Sequence, residues 1–121
     1  MEIAAVVLSV ILAVAVLASA IPKVQLQGLT WSFLRGRGMS ARTVRTIGVL
    51  ELTGVVGLMA GLFWPPIGIV ATVLLIGLFG WALWFHFMHG DFGNPDRRTQ
   101  AAIPLGLLAL TILTMIILIK S

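Results

Sequence analysis

Long apolar runs separated by short polar segments dominate this chain of 121 residues. A helix that crosses the hydrocarbon core of a bilayer needs roughly 20 mainly apolar residues. Four runs have that length, with approximate bounds at residues 3–21, 44–63, 67–87 and 101–119. The pattern predicts an all-α fold, an antiparallel bundle of four transmembrane helices that forms one membrane domain over residues 1–121.

The first run is expected to end at Pro22 and Lys23, since proline is disfavoured inside a helix. Residues 18–20, with the sequence ASA, resemble the cleavage site of a signal peptide. However, the residues before the run include Glu2 and no lysine or arginine, and the run is longer than the roughly 7–15 residues of a signal-peptide core. The first run is therefore predicted to remain as a transmembrane helix.

The three connections between the runs differ in length and composition. Trp64-Pro65-Pro66 joins the second run to the third and is short enough to require an antiparallel hairpin, and its prolines suit a helix start. The first connection is longer, and its middle, VQLQGLTWSFLRGRG, mixes apolar and polar residues, which is typical of a segment at the membrane interface. The third, HGDFGNPDRRTQ, is polar and rich in turn residues.

The distribution of basic residues predicts the orientation in the membrane. Short loops rich in lysine and arginine remain on the cytoplasmic side. The basic residues of the first and third connections are Lys23, Arg35, Arg37, Arg42, Arg45, Arg97 and Arg98. Only Lys120 lies near a terminus. We therefore expect a multi-pass protein of the plasma (inner) membrane, with these two loops cytoplasmic and both termini outside.

The composition supports the membrane assignment and excludes several kinds of chemistry. The chain is 60% hydrophobic and 10% charged, whereas soluble domains are nearer half apolar and a quarter charged. The chain has a net charge of +4, and its basic residues lie between apolar segments. The predicted partner is therefore the lipid bilayer and not a nucleic acid. The absence of cysteine and tyrosine excludes disulfides, thiolate metal sites, iron–sulfur clusters and tyrosyl chemistry.

Glycines recur along the second run, at positions 48, 54, 57 and 61. Gly54, Gly57 and Gly61 share one helix face, and the Gly57-xxx-Gly61 spacing allows two helices to approach closely. Gly77 and Gly80 are expected to do the same on the third run. We interpret these glycines as packing positions of a compact bundle.

Glu51 is the only carboxylate inside an apolar run. A charged side chain at the centre of a membrane helix costs about 2.5–3.5 kcal/mol, so Glu51 should face the bundle interior or a cavity and should have a partner. On a helix with 100° per residue, it lies about 60° from both Gly48 and Gly54. Glu51 therefore borders the face where another helix approaches.

The predicted topology brings other polar residues towards Glu51. The first run ends, the second begins and the third ends on the same side of the membrane. Lys23, Glu51, His86 and Asp91 are therefore expected to meet at the cytoplasmic end of the bundle. His86 continues a stripe on the third run that consists of Leu75, Phe79, Ala82 and Leu83.

A location at the membrane boundary alone also accounts for polar residues in this region. Trp81, Trp84, Phe85 and Phe87 are typical of an aromatic belt at the headgroups. We interpret His89 as a surface histidine, and for His86 both interpretations remain open. Although His86, His89, Asp91 and Glu51 are metal-ligand types, His-xx-His at a helix end is a weak signal, and no metal site is assigned.

Residues 45–91 resemble the central region of the small DoxX-like membrane proteins. The G-x-x-E-x-x-G pattern of that family falls on Gly48, Glu51 and Gly54. A proline-containing turn and a second apolar helix follow, and they end in His86 and then in Gly90-Asp91. Lys23 stands where family members often carry a lysine, and Met88 and His89 replace a frequent basic residue.

The resemblance implies a four-helix membrane bundle. The predicted topology and the family pattern together predict a ligand or partner pocket at Lys23, Gly48, Glu51, Gly54 and His86. The name of the family comes from a quinone-linked sulfur oxidation system, and some relatives are associated with membrane redox assemblies. Similar bundles bind or transform sterols and other isoprenoids. The residues themselves indicate no cofactor, and the resemblance implies a quinone or an isoprenoid as the class of ligand.

Three functions remain open at this point. The small size, the glycine faces and the absence of cysteine and tyrosine favour a non-catalytic accessory subunit or lipophile-binding partner of a membrane assembly, as a homo- or hetero-oligomer. The alternative is a small membrane enzyme for isomerisation, cyclisation or epoxide opening of an isoprenoid, with Glu51 as acid or base and His86 and Asp91 as an assisting pair. A conduit for protons or small solutes along Glu51 and His86 is the third.

Overall fold

The structure is a computed structural model that describes residues 3–36, 38–88 and 98–120. These ranges form five helices: α1 (Ile3–Gln25), α2 (Gly28–Gly36), α3 (Ala41–Gly61), α4 (Pro65–Met88) and α5 (Arg98–Lys120). The long helices α1, α3, α4 and α5 are each long and apolar enough to cross a membrane. The predicted all-α bundle of four transmembrane helices is confirmed, and α2 is a short helix inside the predicted interfacial segment.

The end of α1 differs from the prediction, because the helix continues through Pro22 to Gln25. Proline removes only one backbone hydrogen bond here, that to the carbonyl of residue 18. The helix then closes with a Schellman motif, in which Gln27 N donates to the carbonyl of Pro22 at 2.9 Å and Leu26 N donates to that of Lys23 at 3.3 Å. Leu26 has the left-handed φ of 55° that this motif requires. The prediction that Pro22 and Lys23 end the helix is therefore wrong, and Lys23 belongs to its last turn.

The other bounds lie within a few residues of the predicted ones. α3 begins at Ala41 because Ser40 caps it, its hydroxyl oxygen accepting a hydrogen bond from Thr43 N at 3.2 Å. α4 begins at Pro65. Proline suits this position because the N–H groups of the first turn have no partner within the helix, so the N–H that proline lacks is not missed.

The four long helices pack in a ring, in which α1 and α4 each contact both α3 and α5. The centre of this ring is apolar and contains Leu12, Val16, Leu58, Leu75 and Phe79. The outer faces are apolar as well. Val56 and Val70 are each 68% exposed and Ile119 is 61% exposed, positions where a soluble bundle would carry polar side chains. Such a surface fits a bundle that is surrounded by lipid.

Three glycines of α3 bring it into close contact with α4. The contacts pair Gly54 with Leu75, Gly57 with Ala71 and Gly61 with Gly68. The partner moves back along α4 as the glycine moves forward along α3, so this pair of helices is antiparallel. The predicted packing face of Gly54, Gly57 and Gly61 is confirmed.

The corresponding prediction for α4 is wrong. Within the described residues, a Cβ atom placed at Gly77 or at Gly80 would have no neighbour within 4 Å. Gly77 is exposed, since it lies two residues from both Leu75 and Phe79, on nearly the opposite side of the helix. The small packing residues of α4 are therefore Gly68 and Ala71, whereas its second half packs into the bundle through larger side chains such as Phe79.

Candidate functional site

Gly48 allows the last turn of α1 to lie directly against α3. A Cβ atom at this position would lie 2.8 Å from Cγ2 of Val24 and 3.1 Å from both the carbonyl oxygen of Ala20 and Cβ of Lys23. Glu51 follows one helical turn later and is the middle residue of α3. The close approach at Gly48 therefore brings the side chain of Lys23 within reach of Glu51.

Lys23 and Glu51 form a buried ion pair between α1 and α3. Nζ of Lys23 donates to Oε1 of Glu51 at 2.5 Å and to Oγ of Ser19 at 3.0 Å. The Glu51 side chain is 1% exposed and that of Lys23 is 13% exposed. Each charge compensates the other in a region where an isolated charge is strongly disfavoured.

The second carboxylate oxygen of Glu51, Oε2, is unpaired among the residues that the structure describes. Oε2 is buried, and nothing in the part of the chain that the structure describes donates a hydrogen bond to it. A buried acceptor without a partner is destabilising, and most buried polar atoms in proteins are paired. Glu51 therefore has an unused acceptor beside its ion pair.

A cavity of about 260 Å³ borders the ion pair. Side chains from all five helices and from Met39 contribute to its walls. Its polar side chains are those of Ser19, Lys23, Glu51 and His86, and most of the others are apolar, among them Leu34, Ile47, Leu78, Phe79, Phe85, Ile103, Pro104 and Leu107. The cavity has a polar side around the ion pair and apolar walls elsewhere.

His86 lies in the last turn of α4 and lines this cavity. It is 6% exposed, and its ring packs edge-on against Phe85 with 5.7 Å between the ring centroids. The structure thus brings Lys23, Glu51 and His86 to one cavity. Gly48 and Gly54 are buried packing residues on either side of Glu51 and are not part of the cavity wall.

The remaining residues of the predicted site region lie at the surface, in the cavity wall or outside the described residues. His89 and Asp91 lie outside the described residues, so neither the surface position of His89 nor the role of Asp91 is placed. Trp84 and Phe87 are mostly exposed, as a belt at the membrane boundary would be, whereas Phe85 lines the cavity. Within the described ranges, no three histidine, aspartate or glutamate side chains are placed to hold a metal ion.

Sequence reasoning missed Ser19 and the contributions of α2 and α5. Ser19 precedes Lys23 by four residues, a spacing that places two side chains on one helix face, so this signal was available. Leu34 of α2 is 7% exposed and lines the cavity, while Arg35 lies 5.8 Å above the ring of Trp31. No periodic pattern distinguishes Leu34, Pro104 or Leu107 from residues of the lipid-facing surface.

The similarity of this chain to known proteins is found at the level of a protein family. No curated protein and no solved structure matches the chain. The DoxX-like family matches over residues 2–114, which extends the resemblance of residues 45–91 to α1 and to most of α5. This match spans nearly the whole sequence, and the protein belongs to the DoxX-like family.

Proposed function

We propose that the protein is a non-catalytic accessory component of a membrane assembly, with a redox or quinone-linked assembly as the favoured setting, and that it binds a quinone or an isoprenoid in the cavity beside Glu51. The observation that supports this function is the combination of apolar walls with a buried, charge-balanced polar side. Ligand sites commonly have this character, with mainly apolar walls and a few polar groups that fix orientation.

The size of the cavity favours a small head group. An engineered cavity of about 150 Å³ is sufficient to hold benzene. The cavity of 260 Å³ is larger than that and is suited to one substituted ring or to the first isoprene units of a chain. The remainder of a long tail would then extend among the lipid chains, which are chemically similar to it.

The charge balance of the site favours a neutral head group. Lys23 and Glu51 carry opposite charges and compensate each other at 2.5 Å. A charged ligand would add an unpaired charge to a site of low polarity, which is strongly unfavourable. Neutral lipophiles with an oxygen-bearing head, such as quinones and isoprenoid alcohols, avoid this penalty.

The enzyme alternative would use the same cavity. Oε2 of Glu51 is an acceptor without a donor among the described residues, so it could remove a proton from carbon next to a bound carbonyl and return it to another carbon, an isomerisation without other reactants. The experiment below also tests this alternative with an isoprenoid ketone, which an enzyme would isomerise and an accessory protein would leave unchanged.

Blocking the cavity should abolish ligand binding. A prenyl alcohol with a diazirine group should label the protein in lipid nanodiscs on illumination, and excess farnesol should compete with it. Ala82→Phe places a ring in the cavity wall and should reduce labelling about tenfold or more, because a filled cavity leaves no room without strain. Val70→Phe, on the exposed face of the same helix, is the matched control and should label like the unmodified protein.

The outcomes of this experiment are distinct. Equal labelling of the Ala82→Phe and Val70→Phe variants would contradict ligand binding in the cavity. Because farnesol has no carbonyl, an isoprenoid ketone is incubated separately with the protein: recovery of the unchanged ketone supports the non-catalytic function, whereas its isomerisation supports the enzyme. Purification in mild detergent should yield a stoichiometric larger membrane protein, and a lone homo-oligomer would contradict the accessory role.

We also propose that the protein lies in the plasma (inner) membrane. The end of the bundle that carries α2 faces the cytoplasm, and both termini lie outside. Arg35, Arg42 and Arg45 are exposed at this end, whereas the connection from α3 to α4 carries no charge. Because the chain has no cysteine, Ser32→Cys and Phe63→Cys each introduce a single thiol. An impermeant maleimide should label the Phe63 variant from outside and the Ser32 variant only after permeabilisation; the reverse would contradict this orientation.

A further inference from the structure

We infer that the cavity selects ligands with a hydroxyl group, whose O–H donates to Oε2 of Glu51 while its oxygen accepts from Nζ of Lys23. This inference rests on the proposed function and specifies which head group of a lipophile the site recognises.

The acceptor belongs to a side chain that is both buried and part of the cavity wall. Glu51 is 1% exposed and lines the cavity, and Oε2 has no donor within the described residues. An ionised carboxylate can only accept hydrogen bonds, so Oε2 requires an N–H or O–H group. Since Oε2 itself has almost no accessible surface, the carboxylate must turn towards the cavity to meet such a group, and a ligand that supplies it would then remove the penalty of an unpaired buried acceptor.

The neighbouring ammonium group supplies the opposite function. A lysine side chain has three N–H donors, and those of Lys23 bond Oγ of Ser19 and Oε1 of Glu51. Among the residues that the structure describes, one N–H of Lys23 therefore remains for a further acceptor. The ion pair thus presents a donor and an acceptor side by side, and a hydroxyl group matches both because it donates once and accepts as well.

Other head groups match this arrangement less well. A ketone, a quinone carbonyl or an ether oxygen only accepts, so each would satisfy Lys23 and leave Oε2 of Glu51 unpaired. An ammonium group donates, but it would bring a second positive charge next to Lys23. Neutral O–H groups occur in two sources of suitable lipophilicity, prenyl alcohols and prenylated hydroquinones.

Two matched pairs of ligands test the inference on the unmodified protein. The first pair is farnesol and farnesyl methyl ether, and the second is a prenylated hydroquinone and its dimethyl ether. Each ligand competes with the photoreactive prenyl alcohol in nanodiscs. The amount of ligand in the bilayer is expressed per lipid molecule, so that different partition of the ligands into the bilayer does not affect the comparison. The hydroxyl member of a pair should compete at concentrations about 10- to 100-fold lower than the ether, the effect expected of a hydrogen bond to a charged group. The pair with the tighter hydroxyl member identifies the source.

A variant connects this preference to Glu51. Glu51→Gln exchanges one acceptor oxygen for an amide that donates, so the preference for the hydroxyl member should fall to within about threefold. If this variant does not fold, the ligand pairs alone decide. Equal competition by hydroxyl and ether in both pairs overturns the inference but leaves the proposed function intact. Absence of competition by all ligands overturns both.

Discussion

Replacement of Lys23 with methionine should destabilise the bundle by about 3–5 kcal/mol, the range measured when one partner of a buried ion pair is removed. The variant leaves the carboxylate of Glu51, which is 1% exposed, without the cation that bonds Oε1. The lower free energy of unfolding should be measured by unfolding the protein in mixed micelles of a mild and a denaturing detergent. Lys120→Met, at an exposed position in the last turn of α5, is the control and should change the free energy of unfolding by less than about 0.5 kcal/mol.

The double variant Lys23→Met/Glu51→Met separates loss of the pair from loss of packing. Replacement of both ions by apolar side chains of similar volume is often neutral or stabilising. The double variant should therefore recover most of the stability that the single variant loses. A double variant as unstable as Lys23→Met would mean that the lysine stabilises the bundle through its packing against α3 and not through its charge.

Gly61→Ala should be the most damaging of the small changes in the α3–α4 hairpin. A Cβ atom at Gly61 would lie 2.5 Å from Cα and 2.7 Å from N of Gly68. Both neighbours are backbone atoms that cannot rotate away, so the two helices must separate. We expect the free energy of unfolding to fall by about 1–3 kcal/mol in the same unfolding experiment, the usual range for overpacking.

Gly77→Ala is the matched control for this variant. It makes the same chemical change within a transmembrane helix, but at a position where the described residues leave the space around a Cβ atom open. Because alanine favours helix over glycine, the variant should be neutral or more stable by up to about 1 kcal/mol. Equal destabilisation at Gly61 and Gly77 would show that helix contact is not the reason for the glycine at position 61.

The sequence predicted the elements of the fold well because hydrophobic length is a direct physical requirement of a membrane helix. It placed the end of α1 too early, since the Schellman motif that closes the helix uses Leu26, a residue type that gives no signal for a left-handed φ. The glycine rule succeeded on α3 and failed on α4 for a related reason. In lipid, both the packed and the outer face of a helix are apolar, so spacing alone does not tell which face Gly77 occupies.

The charged residues of the candidate site could be predicted from the sequence, whereas the apolar residues of the cavity wall could not. A carboxylate inside an apolar run requires a partner. The order of the helices leaves few cations on the same side of the membrane, and Lys23 is one of them. The sequence alone therefore predicted that Lys23 and Glu51 lie close together. The apolar walls contain Leu34, Met39 and Leu107, from three separate parts of the chain. Their convergence depends on how α2 and α5 pack, which a one-dimensional pattern does not contain.

The order of the ion-paired helices along the chain has a consequence for biogenesis. α3 is the least apolar of the four candidate spans, and it carries Glu51 at its middle. A lone carboxylate opposes insertion by about 2.5–3.5 kcal/mol at the centre of the bilayer and by less towards its boundary, and Glu51 lies level with the last turn of α1. Since α1 precedes α3, Lys23 is synthesised first and already lies at the membrane when the nascent α3 reaches it. The translation order of the two charges thus allows the first helix to act as an internal insertion partner for the second span.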